Sequence, residues 1–367
     1  MAKKGVTSLL VQIVAGANIV TLVAMLATGY SYLVDPELVA KVSTWGLVFP
    51  FFMLLNACFL VFWLFVYPKK VWIPLLAFVL SYYPVRMYMG INIPTSVPED
   101  ALKILTYNVF GFHGVPGEEL ERDENAIVDY LIDEDCDIVC LQESNESWLS
   151  NGCRAKLEEK YPNHRSDECT AGGNFIAIYS KHKIIGSERI DYESSGNLSV
   201  AYQLLIGDDT VRVINNHLEI NSISLQDREK FHKMVKGKMS KDSIGYQSLS
   251  LMEKLTECAV RRAPQAKAVA KYVQEHENDK MIVLGDFNDN PVSFARNTIS
   301  KGLTDCFISS GVGLGWTYCY GGMRLRIDNT MCSKHFIPVK CSVDGRNRFS
   351  DHYPLITYLT KADLSAE

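Results

Sequence analysis

Asp351 and His352 stand side by side near the C-terminus, between Ser350 and Tyr353-Pro354. A carboxylate beside an imidazole can move a proton or help to hold a cation, and the proline stiffens the turn that carries them. Alone, such a pair is an ordinary surface-loop sequence. Four earlier clusters give it weight: Asn108, Gln142-Glu143, Asn215-Asn216-His217 and Asp286-Phe287-Asn288 each end an apolar, strand-like run. All are residue types that bind a hard cation or transfer protons. Mg2+ takes oxygen ligands and keeps several waters, so one or two carboxylates or amides suffice. The expectation is one hydrolytic site on which these clusters converge.

The elements that must position them follow from periodicity. Leu102 to Val109 alternates as a half-buried strand, followed by a loop marked by Gly111, Gly114 and Gly117. Glu118 to Asp133 reads as an amphipathic helix with Leu120, Ile127, Val128, Leu131 and Ile132 on its apolar side. Asp137 to Glu143 is a buried strand. A strand–helix–strand unit whose strands both end in polar groups builds sites, because strand ends hold side chains rigidly. Gly172-Gly173-Asn174 turns into a strand ending at Ser180, and Val200–Ile206 pairs with Thr210–Asn216 across Gly207-Asp208-Asp209. Lys280 to Asn288 is another buried strand. Trp316-Thr317-Tyr318 and Arg324 to Asp328 are expected to pair around Gly321-Gly322, and the closing run is Phe349 to Tyr358.

Residues 226–271 are helical in pattern and basic, with eleven Lys/Arg against five Asp/Glu. They are either a solvated helix pair with a polar loop at Lys238 to Gly245, or a cationic wall of Lys233, Lys236 and Lys238 that draws phosphate or an anionic lipid surface.

Taken in order, Leu105-Thr106-Tyr107-Asn108-Val109, Leu141-Gln142-Glu143, Asn216-His217-Leu218, Gly285-Asp286-Phe287-Asn288, Arg326-Ile327-Asp328 and Ser350-Asp351-His352 resemble the endonuclease/exonuclease/phosphatase superfamily, with its deoxyribonuclease-I-like fold. The resemblance implies a four-layered α/β sandwich over about residues 101 to 360 and divalent-metal-dependent hydrolysis of phosphate esters, with Mg2+ or Mn2+. It implies Glu143 as the main metal ligand, supported by Asn108, with Asp351 in the metal or phosphate cluster. Asp286 would orient or deprotonate the attacking water, and Asn288 would donate to a phosphate oxygen. His352 would stabilise the pentacovalent state, held by Asp328, and His217 would contact phosphate or assist the leaving group. Asn174 is a further candidate for phosphate contact. Phe110 stands where some relatives have Asp, which leaves the number of metals open, and Arg-Ile-Asp-Asn-Thr replaces the usual Arg-Ile-Asp-Tyr-Ile.

The chain ahead of this region is different. Apolar residues make up 47% of the 367, and the excess lies near the N-terminus in runs at about Leu9 to Leu33, Trp45 to Tyr67 and Val71 to Tyr88. Each approaches the ~20 residues that cross a bilayer as a helix. The first is too long for a cleaved signal peptide and lacks its small-residue cleavage site. The domains expected are therefore a three-helix membrane anchor over 1–90, a linker over 91–100 with two prolines, and a catalytic domain over 101–367. Lys3-Lys4 and Lys69-Lys70 flank the spans on one side, while the loop between the first two carries Asp35, Glu37 and only Lys41. The positive-inside rule then makes this a multi-pass protein with its catalytic domain on the extracytoplasmic face.

From residue 101 onward, 31 Lys/Arg face 38 Asp/Glu, a net charge of −7 that argues against tight non-specific binding to duplex nucleic acid. Nine of ten Cys fall in that part, without a CxxC pair or zinc spacing. Cys136, Cys140 and Cys341 read as buried thiols, and Cys153 and Cys169 could pair in an oxidising compartment. The substrate expected is a phosphate ester, a phosphodiester of nucleic acid or a phospholipid headgroup, with no obligate protein partner. The alternatives are a phosphomonoesterase of inositol-phosphate type and a catalytically inactive membrane interaction module.

Overall fold

The computed structural model describes residues 2–363 apart from 116, 170–172, 195, 222 and 239. It opens with helices α1 (Ala2–Gly29), α2 (Phe49–Val66), α3 (Trp72–Leu80) and α4 (Tyr82–Tyr88). Two stretches, Leu9–Leu33 and Ala40–Val66, are long and apolar enough to cross a membrane. The third expected run is not one straight helix, because α3 and α4 meet at 66°. Pro84 lacks the N–H that would reach the carbonyl of Leu80 and its ring crowds that carbonyl. The Tyr30 hydroxyl donates to the Leu80 carbonyl instead, at 2.6 Å. Between α1 and α2, Asn18 donates to Asn56 Oδ1 at 3.1 Å and accepts from the Trp63 indole at 2.9 Å, all three buried. In an apolar surrounding such side-chain bonds join helices.

From residue 102 the chain forms two six-stranded mixed sheets. Its strands are β1 (Leu102–Asn108), β2 (Ile138–Gln142), β3 (Asn163–Glu168), β4 (Phe175–Ser180), β5 (Lys183–Ile190), β6 (Leu198–Ile206), β7 (Asp209–His217), β8 (Lys280–Asp286), β9 (Thr304–Asp305), β10 (Asp328–Cys332), β11 (Phe336–Val343) and β12 (Leu355–Lys361). The first sheet runs β11-β12-β1-β2-β4-β3 and the second β9-β10-β8-β7-β6-β5. Their facing sides share one core that includes Ile104, Ile178, Val213 and Leu284. Helices α5 (Ala126–Glu134) and α6 (Asn151–Lys160) bury Ile127, Leu131 and Leu157 against the outer side of the first sheet. Helix α8 (Lys241–Glu275), preceded by α7 (Leu225–Val235), covers the outer side of the second with Ala266 and Val269, beside α9 (Phe294–Ile299). Helix, sheet, sheet and helix make the four layers expected.

Three expectations change. The helix starts at Ala126 rather than Glu118, because Asn125 caps it through Ile127 N and Val128 N while Glu118–Glu119 pairs with Gly114–Val115. Trp316 to Asp328 holds only a single bridge, Tyr318 to Leu325, and the strand proper begins at Asp328. Cys153 and Cys169 do not pair. Both are buried free thiols, Cys153 in the core under α6 and Cys169 in the core between the sheets. Gly172 lies outside the described residues, and its strand runs from Phe175 to Ser180.

The segment after α4 is fastened rather than loose. Gly90–Ile91 pairs with Val312–Gly313, and Asn92 donates to the Ile308 and Gly311 carbonyls at 3.0 and 2.7 Å. Arg326 donates to the Met87 carbonyl, and the Tyr88 hydroxyl donates to the Gly46 carbonyl at 2.7 Å. Gly46 has no room for more: a Cβ there would lie 2.7 Å from Asn290 Oδ1 and 2.8 Å from the Val292 carbonyl oxygen.

Candidate active site

The polar clusters meet where the two sheets face each other at one end. β1 and β2 run parallel, so Asn108 and Gln142 lie side by side and Glu143 follows immediately. β7 and β8 are also parallel, with His217 opposite Asp286. That register brings two backbones together at Gly285, where a Cβ would sit 2.1 Å from the Asn216 carbonyl oxygen and φ is +122°, so only glycine fits. β10 pairs antiparallel with β8 and sets Asp328 beside Asp286. The sheets are clamped by amides: Gln142 donates to Asn215 Oδ1 at 2.7 Å, and Asn215 donates to the Leu141 and Ala177 carbonyls.

Asn108 links the two halves, its amide donating to Glu143 Oε1 at 3.0 Å and Asp286 Oδ2 at 3.1 Å. His352 bonds Asp328 Oδ2 through Nδ1 at 2.8 Å, and its Nε2 lies 3.6 Å from Asp286 Oδ2. Thr317 Oγ1 accepts from the Ile327 and Asp328 backbone amides and so fixes Asp328. His217 Nε2 faces Glu143 at 3.6 Å and Asp286 at 4.0 Å. Among the described residues neither His217 ring nitrogen has a hydrogen-bond partner, although the side chain is fully buried. Asn288 donates from its backbone to Asp286 Oδ1 at 2.8 Å and from its amide to the Leu218 carbonyl at 3.0 Å, which leaves one amide hydrogen for another acceptor. Ser350 donates to the Asn108 carbonyl and sets Asp351 at the rim.

Environment separates the two imidazoles. Burial lowers His217 to about 4, so it is neutral at pH 7. Burial alone would lower His352 too, but the charges of Asp328 and Asp286 and the Asp328 hydrogen bond raise it to about 10, so it is an imidazolium. Burial lifts Asp286 above the carboxylate range, and the Asp328 charge adds to that. Glu143 rises to about 7, first by loss of water and then by the charges of Asp351 and Asp286, against the Asn108 amide. Glu143 and Asn288 also hold φ of +51° and +52°, a backbone cost of about 1–3 kcal/mol each that packing must sustain.

All eight expected residues are therefore brought to one place: Asn108, Glu143, His217, Asp286, Asn288, Asp328, Asp351 and His352. Asn174 lines a smaller cavity on the other flank of Glu143. The cationic wall differs from expectation. Lys233, Lys236 and Lys238 are exposed and do not line the cavity, whereas Arg228 reaches Asp351 Oδ2 at 3.2 Å. The basic run flagged the segment, but nothing in sequence distinguishes Arg228 from its neighbours. Thr317 carried no signal at all.

A family model described as the Endonuclease/Exonuclease/phosphatase family matches residues 105–352. The chain belongs to this family. A second model, a domain of unknown function, matches residues 11–88. No curated protein matches the chain. Among solved structures, an endonuclease/exonuclease/phosphatase from Beutenbergia cavernae superposes with TM-score 0.51 at 15% identity, covering 73% of each chain. The human Nocturnin catalytic domain gives TM-score 0.51 at 14% identity, over 73% of this chain and 97% of that one. At such identities these likenesses report the fold.

Family members are hydrolases of phosphate esters that generally use divalent metals, and the donor set here suits one. Asp286, Asp328 and His352 place ligand atoms within 4.8 Å of one another. His352 Nδ1 is already engaged by Asp328 at 2.8 Å and its Nε2 faces Asp286 at 3.6 Å, so that trio is held by the imidazolium between two carboxylates. Glu143 is the oxygen donor left to a cation; Asn108 joins it only with its amide turned over, since its oxygen accepts from the Phe110 N–H at 3.1 Å while its NH2 faces Glu143. Burial first, and then the charges of Asp351 and Asp286, push Glu143 up to about 7, and a divalent ion beside it would offset both.

Proposed function

We propose that this chain is a membrane-anchored, divalent-metal-dependent phosphodiesterase, with residues 1–90 as multi-pass anchor, 91–100 as connector and 101–367 as catalytic domain on the extracytoplasmic face. One observation carries the reading. An imidazolium held by a carboxylate lines one cavity with Glu143, Asp286 and Asp351, and a neutral imidazole with free nitrogens stands beside Glu143 and Asp286. The paired basic residues flanking the apolar runs support the orientation.

Glu143 and Asn108 would hold Mg2+ or Mn2+, which when bound neutralises charge on the phosphoryl oxygens. Asp286, with its raised pKa, accepts a proton from the attacking water. The hydroxyl adds to phosphorus, the ester P–O bond breaks, and the proton passes to the leaving oxygen. His352 donates to a phosphoryl oxygen as negative charge develops there, and Asp328 keeps its ring aimed and charged. The remaining amide hydrogen of Asn288 fixes a phosphate oxygen, and neutral His217 contacts the leaving side.

The test is hydrolysis of bis-p-nitrophenyl phosphate and p-nitrophenyl phosphate by the full chain in detergent, with Mg2+, Mn2+ or EDTA. Metal-dependent turnover that is lost in Glu143→Ala and in His352→Ala is expected, with the diester preferred. Turnover that survives EDTA or both substitutions overturns the reading.

A further inference from the structure

The catalytic groups form one end of a cavity of about 600 Å³, a size that holds a small organic molecule rather than a lone phosphate. Its other walls are apolar: Leu47, Ile223, Phe231, Leu251, Leu255 and Met323, all half-buried and facing the space. They come from four places, the turn before α2, the loop before α7, the α7–α8 pair and the loop before β10. Leu47 belongs to Ala40–Val66, one of the two stretches apolar enough to cross a membrane. The cavity therefore runs from Asp286 and His352 to the wall of a candidate span. Trp45, 43% exposed, stands two residues away, and tryptophans with one free face favour the membrane–water interface. Tyr246 and Leu249 add exposed apolar surface on α8, at 72% and 68%.

The cations at this cavity are few, and only part of their donor capacity is open. Among the described residues they are Arg228, Arg262, Arg324 and the His352 imidazolium, which Asp328 holds. Arg228 is bound to Asp351; Arg262 is bound to Asp289, Asn221 and the Glu219 carbonyl; and Arg324 lies over the Trp316 ring at 5.0 Å. A polyanion such as nucleic acid or an inositol polyphosphate needs a free basic track. One phosphate ester attached to an apolar body needs the cavity as it is.

We infer that the N-terminal segment forms part of the substrate site: Leu47 and the α7–α8 pair receive the apolar portion of a membrane lipid whose phosphate ester reaches Asp286 and His352. Resting on the phosphodiesterase reading, this assigns the substrate class as bilayer lipid phosphodiesters, entering from the leaflet that adjoins the catalytic domain. The anchor is then a wall of the site as well as a tether.

The experiment uses the full chain in nanodiscs that contain phosphatidylcholine, phosphatidylethanolamine, phosphatidylglycerol or sphingomyelin. Release of phosphate esters is followed by phosphorus NMR, beside bis-p-nitrophenyl phosphate and a single-stranded oligonucleotide. At least one lipid is expected to turn over faster than the oligonucleotide. Leu251→Asp and Leu255→Asp are expected to lower the ratio of lipid to bis-p-nitrophenyl phosphate turnover by about tenfold or more, the loss of one well-buried leucine contact. A lipid carrying a photoreactive group on its acyl chain should label residues 223–255, outside the candidate spans. If bis-p-nitrophenyl phosphate is hydrolysed but no lipid is, or the ratio is unmoved in both variants, or residues 223–255 stay unlabelled, the lipid site is refuted and the phosphodiesterase reading stands. If no ester is hydrolysed with metal, the phosphodiesterase reading itself fails.

Discussion

Asp328→Asn removes one charge and keeps the shape. The asparagine can still lie against His352, but the 2.8 Å charge-assisted bond from Nδ1 becomes a neutral one. Bonds to charged groups contribute about 1.5–3 kcal/mol against about 0.5–1.5 for neutral ones, so a loss of about 1–1.5 kcal/mol should lower kcat by about five- to thirteenfold. Thr317 still holds the backbone at Ile327 and at position 328, so the fold should survive. Because Asp328 is a positioning residue behind His352, the loss should fall on kcat while KM moves less than about threefold. The assay is steady-state hydrolysis of bis-p-nitrophenyl phosphate at saturating Mn2+, with circular dichroism as the control for folding. A folded Asp328→Asn chain with wild-type kcat, or with its whole defect in KM, refutes the role given to the Asp328–His352 pair.

Glu143→Ala should abolish the heat of Mn2+ binding in calorimetry and lower turnover by more than about a hundredfold, whereas a full binding isotherm would remove Glu143 from the metal site. Gly46→Ala forces a methyl against Asn290 and Val292 and should cost about 1–3 kcal/mol, read as an earlier thermal transition of the full chain in detergent; an unchanged transition would mean that the seam does not constrain the protein. Asn56→Leu breaks the Asn18–Asn56 bond between α1 and α2 and should cost about 0.6–2 kcal/mol in a denaturing-detergent titration, and equal resistance to unfolding would count against that contact. The Asp227 carboxylate pairs with Lys254 at 2.6 Å and caps α7 through Ser224, which together hold its pKa down near about 2 from 3.8. Because the folded value is depressed, this stabilisation is present above pH 3.8 and fades as pH falls toward about 2. Proteolysis of the α7–α8 pair by an acid protease should therefore speed up across that window in the native chain but not in Asp227→Asn; identical profiles would remove the ion pair from the account.

What the sequence made legible was the strand ends. An apolar run that stops at Asn108, Glu143, His217 or Asp286 marks a strand and its functional tip together, because burial sets the run and the sheet edge ends it. The α5 boundary was hidden because Leu120 continues the helical spacing, while the physical stop is a short-range one at Asn125. Pro84 did stand in the third apolar run, but composition alone does not say whether a proline bends a helix or is absorbed. The rescue of the Leu80 carbonyl by Tyr30 depends on packing. Arg228, Thr317 and the apolar cavity were out of reach for a common reason. Each acts on residues far away in the chain, as Arg228 does on Asp351, and only the packed sheets bring them together.

The first sheet is made from both ends of the α/β unit, with β12 inserted between β11 and β1, while the second is one continuous stretch from Lys183 to Cys332. A ribosome delivers β12 last. Until it emerges, β1 has an open edge and Asp328 has no imidazole to hold, since His352 lies three residues before β12. The catalytic pair is thus among the last parts of the molecule to be assembled. A chain that stops short of β12 leaves the edge of β1 open and the turn that carries His352 without the strand that anchors it.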